Sequence, residues 1–356
     1  MLVYVARWNE RDEKNTWSGT TYSLYNALTK KQNIQRVDAL NPNLINKLFY
    51  KMQGTTFDFD VDFSCRVSEK IKANVSSKDE VIQIGDLVEL PSYIYQDMSF
   101  SVLDDLYKHD PTTFRYSGFK IRNDKSFQKR MAFQEKIYAS NTIILSMSHW
   151  FKKFLNSQGK QNVYYVGGGI NIPSSIDMKV KREMKTILFV GRDFERKGGK
   201  LVVEAFKRVY KYDKQIKLIV AGPKHIPDEC KNVSGLKFVG AINYSEVARL
   251  MKVASIFAMP SYYEAYGLVF IEAMASGMTI IARNKFEMPY FVEEGSGLLI
   301  QSADEEQEVQ QLVDNFRKIL KDTSYIRIAE QRAESIKNKF SWDQVATNIL
   351  NVVYGL

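Results

Sequence analysis

Short apolar runs alternate with longer amphipathic stretches along most of this chain, and this alternation predicts its secondary structure. Strands are predicted where Val, Ile, Leu and Tyr cluster, in a first series at residues 2–6, 81–84, 93–95, 142–146 and 163–166. A second series follows at residues 186–190, 217–221, 236–239, 256–259, 279–282 and 298–300. Amphipathic helices are predicted between them, for example over residues 200–209. Because alternating strands and helices favour parallel sheets covered by helices, the predicted fold class is α/β, with two doubly wound domains.

The length of the chain also favours two domains. Its 356 residues exceed the ~250–300 residues at which a single hydrophobic core usually stops growing. The loop-like run GGGINIPSS at 167–175 marks the expected boundary, because Pro173 interrupts regular structure. A closing helix is predicted over residues 340–354, with Ser341 as its cap. Ligands bind beyond the carboxyl ends of the strands in doubly wound sheets, so a site is expected in a cleft between the two domains.

Positive charge is concentrated in one part of the chain. The net charge is +9, and residues 115–160 contain ten Lys or Arg against only Asp124 and Glu135. Such a stretch suits an anionic partner, which would be lipid headgroups, a phosphorylated acceptor or nucleic acid. A solvated helix face explains it equally well.

Cysteine and histidine are sparse. Cys65 and Cys230 lie far apart, and the three histidines show no metal-ligand spacing, so neither a disulfide framework nor a metal site is expected. No run approaches the ~20 apolar residues of a membrane span, and the first residues are interpreted as a strand, not a signal peptide. These features predict a protein of the reducing cytoplasm.

The segment ILFVGRDFERKGG at 187–199 joins a predicted strand to a predicted helix. Arg192 comes directly after Gly191 at the end of the strand, and Lys197 comes just before the helix. Two cations beside a helix N-terminus, with glycines that let a ligand approach the backbone, suit a diphosphate. A surface loop with incidental charges is the alternative, because the G-R-x4-K-G spacing alone is a weak signal.

The segment MPSYYEAYGLVFIEAMASG at 259–277 contains two carboxylates, Glu264 and Glu272. A helix is predicted to start at Gly267 and to run over residues 268–275, which leaves Glu264 in the preceding loop and Glu272 in the second turn. Because apolar residues flank Glu272, its carboxylate is expected to be partly buried and to need a partner, which a ligand hydroxyl can be. The alternatives are a solvated helix position for Glu272 and a charge favoured by the helix dipole for Glu264.

Together, G-R-x4-K-G followed by E-x7-E resembles the family 4 glycosyltransferases of the GT-B fold, whose signature pairs these motifs. The segments LIVAGP at 218–223, Val239-Gly240 and IFAMPS at 256–261 occur in the order of that family. The resemblance implies two Rossmann-like domains that face a cleft. It assigns residues 1–170 to an acceptor-side domain, completed by a crossing helix at 341–356, and residues 171–340 to the nucleotide-sugar domain.

The resemblance also implies a chemistry. Similar enzymes transfer a sugar from a nucleotide-diphosphate donor, with UDP or GDP, retain the anomeric configuration and need no metal or other cofactor. Arg192 and Lys197 would hold the diphosphate and stabilise it as it leaves, Glu264 would contact hydroxyls of the donor sugar, and Glu272 would bind the ribose. The same nucleotide-sugar site would include Gly191, Gly267, Leu268 and Val269.

The first half of the chain matches the family more loosely. Gly19, in the run WSGT at 17–20, resembles the glycine loop that shapes the acceptor side, although a plain helix cap explains it equally well. Asp97 follows a predicted strand at a point where many relatives carry a histidine near the donor sugar. It either takes that role or caps a helix that starts at Met98. His149 follows another strand and is either structural or part of the cleft.

One segment departs from the family. Relatives commonly carry a Gly-Gly-x-x-Glu loop after the strand that corresponds to 279–282, whereas this chain has ARNKFEMPYFVEEG, with Phe286-Glu287 and Tyr290 in that place. Since this loop lies near the donor sugar or the acceptor in similar enzymes, the sequence leaves both identities open.

The resemblance therefore implies transfer of a hexose-type sugar to a glycan, glycolipid or protein-linked acceptor, and together with the basic stretch it implies a role in the synthesis of a cell-envelope polysaccharide. The enzyme is expected at the cytoplasmic face of a membrane, with residues 115–160 on the anionic surface. Two alternatives stay open, a nucleotide-sugar epimerase on the same fold and a non-catalytic nucleotide-sugar-binding module. No nucleic-acid partner is expected, because basic–aromatic repeats are absent.

Overall fold

Each predicted series of strands forms its own parallel sheet in the computed structural model of the chain. The structure describes residues 1–9, 11–39, 68–119, 124–171 and 181–356. The chain divides into a first unit, Met1–Gly169 with Ser341–Leu356, and a second unit, Ile170–Phe340. The predicted boundary at residue 170 lies one residue from this division. Cys65 and Pro173 lie outside the described residues.

The first unit contains a six-stranded sheet in the order β2-β1-β3-β4-β5-β6, and every neighbouring pair is parallel. Its strands are β1 Leu2–Arg7, β2 Ile34–Ala39, β3 Glu80–Ile84, β4 Tyr93–Gln96, β5 Ile143–Ser146 and β6 Val163–Tyr165. Its α-helices include Thr20–Thr29, Phe100–His109, Pro111–Tyr116, Asp124–Ala139, His149–Ser157 and Trp342–Tyr354. Residues 68–72 are also helical, and a short 3-10 segment covers Glu13–Gly19.

The second unit contains another all-parallel sheet, in the order β12-β11-β10-β7-β8-β9. Its strands are β7 Glu183–Val190, β8 Lys217–Ala221, β9 Leu236–Gly240, β10 Ala254–Met259, β11 Thr279–Arg283 and β12 Gly297–Ile300. Its α-helices are Gly199–Tyr212, Tyr244–Val253, Leu268–Ala275, Met288–Glu294, Glu305–Lys321 and Ser324–Lys339, and a 3-10 turn covers Asp228–Cys230.

The predicted α/β class and the two doubly wound sheets are confirmed. All eleven predicted strands are present, and the largest difference is at β7, which begins at Glu183. Central strands such as β10 and β11 are buried along their whole length, because helices cover a parallel sheet on both faces. Their sequences are therefore largely apolar, with Ser255, Thr279 and Arg283 as the exceptions, and this is the signal that made them predictable.

One strand, β2, was missed. Its sequence IQRVDA contains three polar residues, and only Val37 and Ala39 are buried. Among the described strands it pairs only with β1, at the edge of the sheet, where Arg36 is held by Glu13 and Asp38. An edge strand needs fewer apolar residues than a central one, so its pattern is weaker.

The helix Trp342–Tyr354 completes the first unit although it follows the second unit in sequence. The Ser341 side chain accepts a hydrogen bond from the backbone N–H of Gln344 at 3.1 Å, which confirms the predicted cap. Two long-range contacts hold the helix: the Tyr93 hydroxyl donates to the Val353 carbonyl at 3.2 Å, and the Asn348 side chain donates to the Val166 carbonyl at 3.1 Å.

Candidate functional site

The two sequence motifs meet where the strand order of the second sheet reverses. The connection after β7 leads through the helix Gly199–Tyr212 to β8 on one side, and the connection after β10 leads through Leu268–Ala275 to β11 on the other. Because β7 and β10 are neighbours, the two connections diverge and open a crevice at the carboxyl ends of these strands. The predicted diphosphate-binding segment follows β7, and the first predicted glutamate follows β10.

Glycines bring the two loops together. A Cβ atom on Gly191 would lie 2.8 Å from Cγ of Lys197, so only glycine lets the lysine side chain fold back over the end of β7. Gly198 has a left-handed φ of +74°, and a Cβ there would lie 2.7 Å from the Pro260 carbonyl oxygen. The loop after β7 therefore contacts the loop after β10 directly through its backbone.

Hydrogen bonds from Arg196 hold the loop after β10 in place. The Tyr262 N–H donates to the Arg196 carbonyl at 2.9 Å, and the Arg196 guanidinium donates to the Tyr263 carbonyl at 3.0 Å. The loop thus gains backbone partners from the neighbouring connection, which a segment outside regular structure needs when it is partly buried. Arg196 was not among the predicted site residues, because its guanidinium donates to a carbonyl group 67 positions away in the chain.

Lys197 and Glu264 form an ion pair between these loops, and their side chains are only 11% and 14% exposed. The Ser261 hydroxyl donates to the same carboxylate at 3.3 Å. Burial lowers the pKa of the Lys197 ammonium, and Glu264 acts against this shift. The structure thus brings together two residues that the family resemblance assigned to one donor site. The sequence did not predict that they would pair with each other.

Glu272 lies in the second turn of the helix Leu268–Ala275 and is 5% exposed, so its expected burial is confirmed and the solvated alternative is wrong. The backbone N–H of Asn171 donates to its carboxyl group. Burial outweighs this bond and raises the pKa of Glu272 to about 8. The carboxyl group is therefore largely protonated at neutral pH.

Gly267 forms the N-cap of this helix with a φ of +97°, as the predicted start of the helix requires. A Cβ atom there would lie 3.2 Å from Cγ of Glu264. Leu268 and Val269 are the first two helical residues, whose N–H groups have no intrahelical acceptor. This helix N-terminus suits an anion close to the carboxylate that the loop presents.

Arg192 is exposed and lies in the wall of a cavity of about 650 Å³, together with His225 and Pro227. Tyr244, the first residue of the helix Tyr244–Val253, lies near both Arg192 and Glu272. Burial and the Glu272 carboxylate raise the pKa of the Tyr244 hydroxyl, and Arg192 lowers it. Tyr244 is therefore within electrostatic reach of both residues. Sequence reasoning missed it, because a tyrosine at the start of a surface helix belongs to no motif.

In the loop after β11, which lacks the Gly-Gly-x-x-Glu pattern, Phe286 has a backbone conformation that glycine usually adopts. This residue has a φ of +56°, a left-handed conformation that bulky side chains rarely adopt. Its ring packs edge-on against Tyr263, with ring centroids 5.5 Å apart. The aromatic contact attaches this loop to the segment that carries Glu264. Glu287 next to it is buried.

The remaining candidates lie in the first unit, in loops that follow strands. Gly19 is the N-cap of the helix Thr20–Thr29, with a φ of +90°, and the two residues before it, Trp17 and Ser18, are also left-handed. The Trp17 ring lies edge-on to Tyr95 in β4, at 6.0 Å. Both the glycine-loop role and the capping role of Gly19 are compatible with this position.

The capping alternative for Asp97 is wrong. The helix after β4 begins at Phe100, not Met98, and its cap is Ser99, which accepts a hydrogen bond from the Val102 N–H at 3.3 Å. Ser99 supplies an oxygen acceptor directly before the helix, whereas Asp97 lies too far from the helix start to cap it.

His149 is the first residue of its helix and stacks on Tyr165, with ring centroids 3.6 Å apart. A role for Asp97 or His149 in the site stays a prediction.

Among the described residues, no group of three or more His, Cys, Asp or Glu side chains is placed to hold a metal ion. The helices of the described ranges are all too short or too polar to cross a membrane.

Residues 175–342 match the family model described as Glycosyl transferases group 1. The chain is 29% identical over 188 residues to D-inositol 3-phosphate glycosyltransferase of Corynebacterium efficiens, a match covering 49% of this chain and 43% of that enzyme. It is 23% identical over 253 residues to phosphatidyl-myo-inositol mannosyltransferase of Mycolicibacterium smegmatis, covering 67% and 63%. The crystal structure of WaaG, a glycosyltransferase involved in lipopolysaccharide biosynthesis, covers all of both chains with a TM-score of 0.68 at 13% identity. The match to C. efficiens thus spans less than half of that relative. The likeness to WaaG shows the GT-B fold.

The pKa of Glu272 predicts how stability depends on pH. A carboxyl group whose pKa is raised in the fold binds its proton more tightly there than in the unfolded chain. The fold therefore loses stability as the pH rises from 4.5, the ordinary pKa of a glutamate carboxyl group, through about 8, the pKa of Glu272 in the fold. Glu272→Gln removes this ionisation. The melting temperature of the variant should exceed that of the wild type by an amount that grows between pH 5 and pH 9.

The matched control is Glu293→Gln, a change at an exposed glutamate of the same unit. Melting curves for the three proteins across this pH range decide the question. A difference between Glu272→Gln and wild type that stays constant with pH would mean that Glu272 is already ionised in the fold.

Proposed function

We propose that this chain, which carries a group 1 glycosyltransferase domain over residues 175–342, transfers a hexose-type sugar from a nucleotide-diphosphate donor to a glycan, glycolipid or protein-linked acceptor. The donor nucleotide would be UDP or GDP, and the anomeric configuration would be retained. The observation that carries the proposal is the Lys197–Glu264 pair at the reversal point of the second sheet.

This pair suits a ligand that is anionic at one end and rich in hydroxyl groups at the other. Lys197 and Glu264 neutralise each other in the absence of such a ligand. A nucleotide-diphosphate sugar offers a new partner to each of them: phosphate oxygens accept from the Lys197 ammonium, and sugar hydroxyls donate to the Glu264 carboxylate. Binding would exchange one ion pair for two sets of charge-assisted hydrogen bonds, so neither buried group loses its partner.

The same arrangement supports catalysis without a metal. Negative charge grows on the departing phosphate in the transition state, and Arg192 and Lys197 would stabilise it as fixed positive charges. The phosphate would in turn accept the proton of the acceptor hydroxyl, so no separate side-chain base is required. Glu272, buried behind the helix N-terminus, would bind the ribose hydroxyls.

The acceptor is proposed to lie at or near an anionic membrane on the cytoplasmic side. Lys125 and Lys136 are exposed on the helix Asp124–Ala139, and Lys153 is exposed on His149–Ser157. Lys160 is paired with Glu135, which offsets part of the local charge. Lys120 and Arg122, which belong to the same basic stretch, lie outside the described residues. The names of the two relatives, which refer to inositol phosphate and phosphatidylinositol, support an acceptor of this kind.

The proposal is tested first by a thermal-shift screen over UDP and GDP sugars. A donor at 100 times its dissociation constant should stabilise the protein by ~2.7 kcal/mol, which gives a clear rise in melting temperature. Free nucleotide should then be released only when an acceptor is added. This release should continue in the presence of EDTA. A change in the sugar without an acceptor would identify an epimerase instead, and binding without turnover on any acceptor would identify a non-catalytic module.

The roles of the paired residues can be separated by two substitutions. Lys197→Ala should weaken the binding of free nucleoside diphosphate about tenfold or more, because it removes a charge-assisted contact of about 1.5–3 kcal/mol. Glu264→Gln should leave this affinity equal or raise it, since it frees Lys197 from its partner. Turnover should fall in both variants, because the sugar loses its carboxylate or the leaving group loses its cation.

Calorimetry on folded variants measures the affinities, and nucleotide release measures turnover. Lys237→Ala, an exposed lysine of the same unit, is the matched control and should change neither. Loss of nucleotide affinity in Glu264→Gln equal to that in Lys197→Ala would show that the pair acts only through folding.

The membrane proposal predicts salt-sensitive binding to anionic vesicles. Each lysine near such a surface contributes about 1 kcal/mol, so reversing Lys125, Lys136 and Lys153 to glutamate should abolish most of the binding. The control reverses three exposed lysines of the second unit, Lys211, Lys231 and Lys237. Sedimentation with vesicles of anionic and zwitterionic lipid measures the effect. Equal binding of the two triple variants would reject this surface as the docking face.

A further inference from the structure

Two opposite charges are buried against each other in the second unit. Arg283 is the last residue of β11, Glu308 lies in the first turns of the helix Glu305–Lys321, and their side chains are 2% and 3% exposed. The pair is bidentate, with one nitrogen–oxygen distance of 2.9 Å. Burying two charges costs free energy that their attraction repays only in part, so such a pair is weak evidence for a role in stability.

The guanidinium has a second set of partners, in the loop after β10. Its Nε atom donates to the Ser261 carbonyl at 3.2 Å, and its Nη2 atom donates to the Pro260 carbonyl at 3.3 Å. The Tyr262 ring lies 4.2 Å from the guanidinium carbon, within the range of a cation–π contact. Arg283 thus holds three consecutive residues of this loop.

Those residues lead directly to Glu264. The Ser261 hydroxyl donates to the Glu264 carboxylate at 3.3 Å, and Lys197 pairs with the same group. A continuous chain of contacts therefore runs from Glu308 through Arg283 and Ser261 to Glu264 and Lys197. Glu308 is itself oriented by the Ala303 N–H, which donates to its carboxylate at 3.2 Å.

The Arg283–Glu308 pair can determine the shape of the loop after β10, because this loop contains no helix or strand. It links β10 to the helix Leu268–Ala275, and the carbonyls of Pro260 and Ser261 point to Arg283, not to a neighbouring strand. Planar guanidinium donors are rigid and directional, so they define where these carbonyls lie. The carboxylate of Glu308 in turn fixes the plane of the guanidinium.

We propose that the buried Arg283–Glu308 pair is a positioning device that sets the Glu264 carboxylate against Lys197 and, resting on the function proposed above, against the transferred sugar. Neither residue touches the reacting groups. Arg283 stands at the start of the segment in which this chain departs from the Gly-Gly-x-x-Glu pattern. A displacement of about 1 Å at a catalytic group can cost on the order of a hundredfold in rate, which is the scale of effect expected here.

The test separates positioning from stability by removing both charges at once. In the double variant Arg283→Met, Glu308→Met the side chains stay long and apolar, and replacement of a buried pair by apolar residues is commonly neutral or stabilising. The control, Arg208→Met with Glu306→Met, removes an exposed bidentate pair that joins the same helix Glu305–Lys321 to Gly199–Tyr212. Glu308→Gln, which keeps the shape and one acceptor, is the conservative third variant.

The first readout does not depend on activity. Reductive methylation followed by peptide mass spectrometry measures how readily each lysine reacts, with the exposed Lys237 as internal reference. Lys197 should be protected in the wild type and in the control, and it should react several times faster in the Met–Met variant, because Glu264 no longer covers it. Unchanged protection of Lys197 in a folded Met–Met variant overturns the proposal.

The second readout is turnover beside nucleoside-diphosphate affinity. Turnover of the Met–Met variant should fall about a hundredfold, while that affinity and the melting temperature stay close to wild type. Glu308→Gln should show the same pattern with a smaller loss, and it decides the question if the Met–Met variant does not fold. Full turnover in either folded variant rejects the positioning role. If no donor supports turnover in the wild type, the proposed function fails, and the protection of Lys197 still tests whether the pair orders the loop.

Discussion

The adjacency of β7 and β10 is the constraint on which the candidate site depends. These two strands are neighbours in the sheet, yet the strands β8 and β9 and the helices Gly199–Tyr212 and Tyr244–Val253 lie between them in the chain. Only where the strand order reverses do the loops of two neighbouring strands diverge, and only there is room for a ligand between them. The motif after β7 brings Lys197 to this point and the motif after β10 brings Glu264, because each follows the carboxyl end of one of these two strands.

The buried charged groups of the candidate site are compensated within the protein when no ligand is bound. Each charged group that the sequence assigned to the interior of the site has a compensation: Lys197 pairs with Glu264, and Glu272 holds its proton. Isolated buried charges would cost several kcal/mol each, so the ligand-free fold keeps the site close to neutral. Only Arg192, which is exposed, keeps its charge in contact with solvent.

Much of this architecture follows from the sequence because parallel sheets buried on both faces produce continuous apolar runs. The strands, the helix start at Gly267 and the cap at Ser341 depend on residues close together in the chain, and these were predicted. The edge strand β2 lacked the apolar pattern. The Arg283–Glu308 pair and the contact of Arg196 with Tyr263 depend on residues that meet only in the folded chain. Glu308 sits in the acidic first turns of an amphipathic helix, where its sequence neighbours give no sign that it is buried.

The return of the helix Trp342–Tyr354 to the first unit has a consequence for the order of events on the ribosome. The second unit is one continuous stretch of chain, so it has all of its own residues as soon as Phe340 has emerged. The first unit, although it is synthesised first, stays without this helix until residues 341–356 are made. Domains generally fold as units during synthesis, with the N-terminal one leading. In this chain the earlier domain receives its last helix only after the whole of the later domain has been synthesised, so the domain that is made first is completed last.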